Sequence, residues 1–311
     1  MAERTALVRL SNWIGDVVLT LPALQLIASQ GWQLQLVGKG WARSLLAGTG
    51  WPVQAYPKRL GERVHLLRRL AGEARRQGQG VRSLCFPNSF GGALEFRLAG
   101  VPAVGYRKEG RRLLLADSLP LPQAPMHELQ RHWQLACRFL GVERPAPAQV
   151  ELPVCPSAQA RADALLTGRG VRPGFVLIVP FATGVFSGHD KKWPHFPVLT
   201  AWLLQQGLQV VVCPGPGEVL VREASPGTIM LDGLDLADYL AVLRRAALVV
   251  ANDTGPGHMA AAVGAPVVSL LGPSDPQVFG PVGPQVLRLH DPAWVSLATV
   301  QQAVAERVGL R

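Results

Sequence analysis

Four stretches of the 311-residue chain bring together residue types that can do chemistry. The first is Gly15-Asp16, just beyond the apolar run Ala6-Leu7-Val8-Arg9-Leu10. A carboxylate at a strand end can take a proton as a general base. It equally suits the N-cap of a helix. The second is Lys191-Lys192-Trp193-Pro194, where a lysine could neutralise a phosphate with Trp193 packed beneath it. A solvated lysine pair is the plainer reading of the same residues. The third is Glu218, behind the turn Pro214-Gly215-Pro216-Gly217, where a carboxylate could meet ribose hydroxyls, a weak signal on its own. The fourth is Asp253-Thr254-Gly255-Pro256-Gly257-His258, ahead of the small residues Met259-Ala260-Ala261-Ala262. Glycines allow close backbone approach, and a helix starting there aims free N–H groups and its positive dipole end at the loop. That is an anion site, with Thr254 and His258 as added donors. A capped helix with a satisfied histidine explains it as well.

The elements around these stretches point to one architecture. Residues 6–10 read as a strand, 11–16 as a polar turn, 17–29 as a helix and 33–38 as a second strand, which is the opening of a parallel βαβ unit. Arg and Leu recur at helical spacing over 59–78. Residues 81–87 read as a strand ending in Asn88-Ser89-Phe90-Gly91-Gly92, residues 105–112 as a basic mobile loop, and 126–141 as a helix. Prolines 145, 147, 153 and 156 mark a linker. Beyond it the pattern repeats: strands at 175–179, 209–213, 247–251 and 267–271, with helices at 196–206, 236–245 and 295–308. The expectation is an α/β protein of two Rossmann-like domains, 1–155 and 156–311, each with a parallel sheet.

Composition narrows the classes. Hydrophobic residues are 48% of the chain and charged residues 17%, which excludes a disordered protein. The four cysteines form no C-x-x-C pair, the N-terminus lacks the apolar core of a signal peptide, and no apolar run reaches the ~18 residues of a membrane span. A cytoplasmic protein fits. The net charge of +10 is segregated: residues 1–155 hold 20 Lys+Arg against 10 Asp+Glu, and residues 156–311 hold 11 of each. The first half therefore suits an anionic partner or carries a solvated arginine surface. The arginine-rich stretch 58–82 lacks interleaved aromatics and any nucleic-acid motif, so nucleic acid is not the expected partner. P-loop, dinucleotide, nucleophile-elbow and zinc-protease motifs are all absent from the sequence.

Taken jointly, Gly15-Asp16-Val17-Val18-Leu19-Thr20-Leu21-Pro22-Ala23-Leu24, Lys191-Lys192-Trp193-Pro194, Asp253-Thr254-Gly255-Pro256-Gly257-His258 and Gly272-Pro273-Ser274-Asp275-Pro276 resemble, in order and spacing, the lipopolysaccharide heptosyltransferases of glycosyltransferase family 9. Trp13-Ile14-Gly15-Asp16, Pro87-Asn88-Ser89-Phe90 and Gly105-Tyr106-Arg107 look more like the type II enzymes than type I. The resemblance implies a GT-B fold, with two Rossmann-like domains facing an interdomain cleft. It implies inverting transfer of heptose from ADP-L-glycero-β-D-manno-heptose to the lipopolysaccharide inner core, with the acceptor on the N-terminal domain and the donor on the C-terminal one. Asp16 is then the base, and Thr183, Lys191, Glu218, Asp253, Thr254, Gly255 and His258 are donor contacts. Asn88, Ser89, Arg107, Arg111 and Arg112, taken on charge and loop position, are candidate contacts for a Kdo-lipid A or heptosylated acceptor. No cofactor or metal is expected, since there is no Asp-x-Asp to hold one. The basic half would be drawn to the anionic cytoplasmic face of the inner membrane. Transfer of another nucleotide sugar, or nucleotide binding without catalysis, are the alternatives.

Overall fold

The structure, a computed structural model, describes residues 3–108, 110–182, 185–186, 189–218 and 226–310. The chain forms two compact units: Met1–Leu46 with Gly50–Pro147, and Ala47–Thr49 with Ala148–Arg311. The division lies within the proline-rich stretch, where neither helix nor ladder can continue through Pro145 and Pro147.

The N-terminal unit runs β1 (Arg4–Arg9), α1 (Ile14–Ser29), β2 (Trp32–Gly38), α2 (Ala42–Leu45), β3 (Val53–Ala55), α3 (Leu60–Arg76), β4 (Gly80–Cys85), α4 (Phe90–Leu98), β5 (Ala103–Arg107), β6 (Asp117–Pro120) and α5 (Glu128–Leu140). Its sheet is parallel in the order β3-β2-β1-β4-β5-β6. Central β1 is buried from Thr5 to Arg9, so it reads as a nearly continuous apolar run, as strands covered on both faces do. Helix α1 buries every residue from Val17 to Leu24 and packs on α5, whereas α3 buries only the stripe Leu66, Leu67, Leu70, Ala71 and Ala74 and leaves most of its arginines in solvent.

The C-terminal unit runs α6 (Pro156–Gly168), β7 (Val176–Val179), β8 (Val185–Phe186), β9 (His189–Asp190), α7 (Phe196–Gln205), β10 (Val210–Val212), β11 (Ile229–Met230), α8 (Leu236–Arg245), β12 (Leu248–Asn252), α9 (Gly255–Ala262), β13 (Val267–Leu271), β14 (Val286–His290) and α10 (Leu297–Val308). Its main sheet is parallel in the order β11-β10-β7-β12-β13-β14, and β8 and β9 form a short antiparallel ribbon. Counted within each unit, both six-stranded sheets follow the doubly wound order 3-2-1-4-5-6. The expected α/β class with two Rossmann-like units is therefore what the chain adopts. The order also locates each unit's ligand crevice. It lies beyond the carboxyl ends of the strands where the winding reverses, β1 and β4 in one unit, β7 and β12 in the other.

Three local expectations change. Helix α1 begins at Ile14, not Val17, so Asp16 sits in the first turn and the N-cap position belongs to Trp13, whose side chain makes no capping bond. Residues 105–107, read as part of a mobile loop, are the end of β5, and 111–113 form a 3-10 turn. Backbone pairing with β6 supplies order that the local composition does not announce. Helix α6 was not anticipated. Only Ala158, Ala162 and Leu166 are buried on it, too sparse a stripe to stand out in sequence.

Candidate functional site

At the crevice of the N-terminal unit, Asp16 lies in the first turn of α1, where a helix N-terminus favours negative charge. The turn before it is held from below. Arg9, buried at the end of β1, donates to the Leu10 carbonyl at 2.7 Å and to Asn12 Oδ1 at 2.9 Å, and its guanidinium lies 3.9 Å from the Tyr56 ring centroid. Tyr56 donates its hydroxyl to Glu95, which also takes a 2.7 Å ion pair from Arg63. Sequence reasoning missed a further acidic residue, Glu128, at the start of α5. Burial pushes its carboxyl up, Arg131 opposes this, and the charge of Asp16 adds to the rise. The two carboxylates therefore feel one another across the α1–α5 packing. No local pattern marks Glu128, since the pairing depends on how those helices meet.

The candidate acceptor residues divide into two kinds. Arg111 is fully buried. It donates at 2.9 Å to the carbonyls of Tyr106 and Pro87 and at 3.4 Å to Asn88 Oδ1. It thus ties the connection after β5 to the loop after β4. Burial lowers its pKa from the usual arginine value, partly offset by the Cys85 sulfur beside it. Ser89 caps α4, its Oγ accepting from Gly92 N at 3.3 Å. Arg107, the last residue of β5, and Arg112, on the turn that Arg111 holds, are both exposed.

In the C-terminal unit the residues of the second and fourth stretches converge. Lys191 Nζ lies 3.0 Å from Asp253 Oδ2, and His258 Nε2 lies 3.8 Å from Asp253 Oδ1. Burial works to raise the Asp253 carboxyl, but His258 and Lys191 outweigh it and hold the group well below the usual carboxylate range. His258 is itself buried, and its Nδ1 has no hydrogen-bond partner among the described residues. Thr254 occupies the N-cap of α9 without a side-chain capping bond; its hydroxyl donates instead to the Asn252 carbonyl at 3.3 Å. Gly255 is the first helical residue. In the first turn Pro256 has no N–H and Gly257 N donates to the Thr254 carbonyl at 3.1 Å, so Gly255 N–H is the amide at the helix start that the cap side chain does not take up, beside a lysine and a buried histidine.

Asn252 joins the two stretches, a role that sequence reasoning did not assign. Its Oδ1 accepts from Trp193 N at 2.9 Å, and its Nδ2 donates to the Val179 and Phe181 carbonyls at 3.3 Å. This one fully buried amide thus links the carboxyl ends of β7 and β12 to the lysine segment. Trp193 is buried and donates Nε1–H to the Val295 carbonyl at 2.8 Å, so it anchors that segment rather than lying open. Gly272 lies where a Cβ would come within 2.6 Å of the Trp294 ring, so only glycine fits without movement. Glu218 is placed by its own turn. It folds back on its own turn, Oε2 accepting from Gly215 N at 2.8 Å, at the carboxyl edge beyond β10. Thr183 lies outside the described residues. Among the described residues no group of three or more His, Cys, Asp or Glu is placed to hold a metal ion, and no helix is long and apolar enough to cross a membrane.

Comparison with known proteins follows the same lines. The profile of glycosyltransferase family 9 (heptosyltransferase) matches residues 76–306. The chain is 27% identical over 303 residues to lipopolysaccharide heptosyltransferase 2 of Escherichia coli, covering 89% of this chain and 86% of that protein. It is 27% identical over 301 residues to lipooligosaccharide heptosyltransferase 2 of Haemophilus influenzae, covering 87% and 84%. The solved structure of E. coli ADP-heptose lipopolysaccharide heptosyltransferase II superposes with a TM-score of 0.78 at 23% identity over 98% of both chains. An E. coli heptosyltransferase solved with ADP gives 0.73 at 21% identity over 97% of this chain and 99% of that one. These two likenesses establish the shared GT-B fold.

Proposed function

Since the chain belongs to glycosyltransferase family 9 and is a glycosyltransferase, we propose that it is a heptosyltransferase of lipopolysaccharide core assembly that uses ADP-L-glycero-β-D-manno-heptose with inversion at the anomeric carbon. The observation that carries this reading is the cluster of Lys191, Asp253 and His258 at the N-terminus of α9. A helix N-terminus and a lysine suit a diphosphate, whose charge rises as it leaves. The relatives named for heptosyl transfer support the choice of sugar.

In this mechanism the Asp16 carboxylate takes the proton of the acceptor hydroxyl. That oxygen forms a bond to the anomeric carbon as the bond from that carbon to the diphosphate oxygen breaks. ADP departs with the electron pair through an oxocarbenium-like transition state. Lys191, Thr254, Gly255 and the helix dipole stabilise the leaving charge, with Thr183 and Glu218 as further donor contacts. Asp253 holds Lys191 and His258 in place. The N-terminal unit takes the acceptor through Asn88, Ser89, Arg107 and Arg112, with Arg111 bracing their loops, and works at the anionic cytoplasmic face of the inner membrane.

The test is transfer from ADP-heptose to Kdo-lipid A and to the same lipid already bearing one heptose, read by mass spectrometry. Addition to the second acceptor alone, lost in Asp16→Asn, is expected. Addition to the first makes the enzyme type I. Transfer to neither, with ADP still bound, refutes the assigned sugar or acceptor.

A further inference from the structure

Helix α1 begins with a residue that helix stability does not ask for. Trp13 is its N-cap, in extended backbone, and the Trp13 carbonyl accepts from Val17 N at 3.1 Å. Serine, threonine, asparagine and aspartate suit that position because their short side chains accept from the amides of the first turn. An indole is a donor only and cannot do so, and Trp13 makes no capping bond. Nor is the side chain spent on packing. It is 66% exposed, and of the chain's eight tryptophans, all among the described residues, it is the one that stands exposed. The backbone beside it is nonetheless braced, since Arg9 holds the Leu10 carbonyl and Asn12 Oδ1. A large aromatic side chain on a fixed turn is thus left open to solvent.

Its position is that of the chemistry. Asp16 is the third residue after this cap, and cap and third residue are the two positions whose side chains reach toward one another at a helix start. Trp13 and the carboxylate therefore share one turn. The sheet order reverses between β1 and β4, so a crevice opens there between the helices that follow those strands. Phe86 N donates to the Arg9 carbonyl at 3.2 Å, which sets the two strand ends side by side. Helix α1 packs with α5, whereas α4 shares the core of α3 on the sheet face that carries Leu7. Helix α4 opens with Phe90, 47% exposed. An exposed aromatic residue thus begins each of the two helices that flank the crevice.

Aromatic rings suit one part of a sugar. A pyranose gathers C–H bonds on a face and carries hydroxyls around its rim, so an indole can cover the face while the hydroxyls keep their hydrogen bonds. The indole face is the negative end of the ring quadrupole, so it disfavours a carboxylate held against it. We infer that Trp13 is a specificity-determining residue of the acceptor site, stacking on an uncharged pyranose whose hydroxyl meets Asp16, with Phe90 on the opposite flank. The inference rests on the proposed function for the role of Asp16, and deepens it by giving the acceptor ring its chemistry: neutral rather than carboxylate-bearing.

The experiment uses the full-length protein and two deacylated, water-soluble oligosaccharides, one ending in Kdo, which bears a carboxylate, and one ending in heptose, which does not. Binding is read by tryptophan emission without donor, transfer by steady-state kinetics, and stability by thermal unfolding. The variants are Trp13→Ser and Trp13→Phe. Wild-type emission should shift to shorter wavelength with the heptose-ended oligosaccharide, and the shift should be missing in Trp13→Phe. Trp13→Ser should raise the acceptor KM about tenfold, the scale of a lost aromatic contact, and Trp13→Phe should recover most of it. The donor KM should not move. Because serine can cap α1, the unfolding midpoint of Trp13→Ser should hold or rise. The preference of wild type for the heptose-ended oligosaccharide should shrink in Trp13→Ser.

An unchanged acceptor KM overturns the inference, and a loss confined to kcat or to the unfolding midpoint makes Trp13 a prop for α1 and overturns it too. Equal losses toward both oligosaccharides, or wild type that binds neither or prefers the Kdo-ended one, also overturn it. Binding of the heptose-ended oligosaccharide that depends on Trp13, without heptosyl transfer to it, sustains the stacking role and refutes the functional reading instead.

Discussion

Replacing Lys191 by Met tests the electrostatic logic of the cluster at α9. At the observed 3.0 Å, and at an effective dielectric of about 20, the attraction between Lys191 and Asp253 is roughly 5 kcal/mol before desolvation is counted. Removing one partner of such a buried pair costs about 3–5 kcal/mol, because a charge is left behind. The two ends differ. The Asp253 side chain is 6% exposed and Lys191 is 21% exposed. A stranded lysine can swing its ammonium toward water; a stranded Asp253 cannot. Lys191→Met is therefore expected to cost about 3 kcal/mol and Asp253→Asn only about 1 kcal/mol, with a coupling of about 2 kcal/mol in the double-mutant cycle. Native-state hydrogen exchange on peptides covering β12 and α9 reads the local stability. The pH dependence has a definite sign. The Asp253 carboxyl is held below its usual 3.8, so its stabilisation is full above that value and is lost as pH falls through it toward the folded value. Asp253→Asn should lack that acid limb. Equal costs for the two single variants, or additivity within about 0.5 kcal/mol, would refute the reasoning.

Other outcomes follow from the N-terminal unit. Asp16→Asn should lower kcat by roughly two to four orders of magnitude, the range for a positioned general base, with ADP affinity by calorimetry unchanged. Near-normal turnover removes Asp16 from the mechanism. Arg111→Lys keeps a charge but not the planar fork that serves Tyr106, Pro87 and Asn88, so denaturation should show a loss of about 2 kcal/mol. A neutral result would mean that those loops hold themselves. Burial pushes His132 down from 6.5 to about 3, with Arg131 and His127 adding to it. Its contribution is full above pH 6.5 and declines as pH falls toward 3. His132→Phe should flatten the stability profile over that window; an unchanged slope between pH 6 and about 4 would contradict the shift.

Much of the architecture was legible in the residues because its signals are local. Short β-branched apolar runs such as 176–179 and 248–251 read as strands covered on both faces, and their alternation with helical periodicity points to parallel winding. The loops that carry the candidate chemistry were legible for the same reason. Glycines, a proline and an acid at the end of a strand and the start of a helix describe a helix N-terminus without reference to anything distant. The boundary of α1 was misjudged by one turn because Asp16 is as good an N-cap as it is a first-turn residue, and tertiary packing of α1 on α5 decided between them.

What the tertiary structure alone decided is which distant groups meet. Arg111 was a candidate acceptor contact on charge and loop position, yet it is buried because the Tyr106 and Pro87 carbonyls come close enough to replace its water. Asn252 stood just past a strand read as ending at Ala251, yet its amide holds Trp193 N and two carbonyls at and beyond the end of β7. Lys191 could have been half of a solvated pair, but sheet order lays its segment against Asp253. Glu128 gained its relation to Asp16 only when α5 packed on α1. Periodicity and turn chemistry act over a few residues and are written in the chain. Burial, charge pairing and carboxylate coupling act between residues far apart in sequence, and they exist only once parallel crossovers have brought the strand ends to one edge.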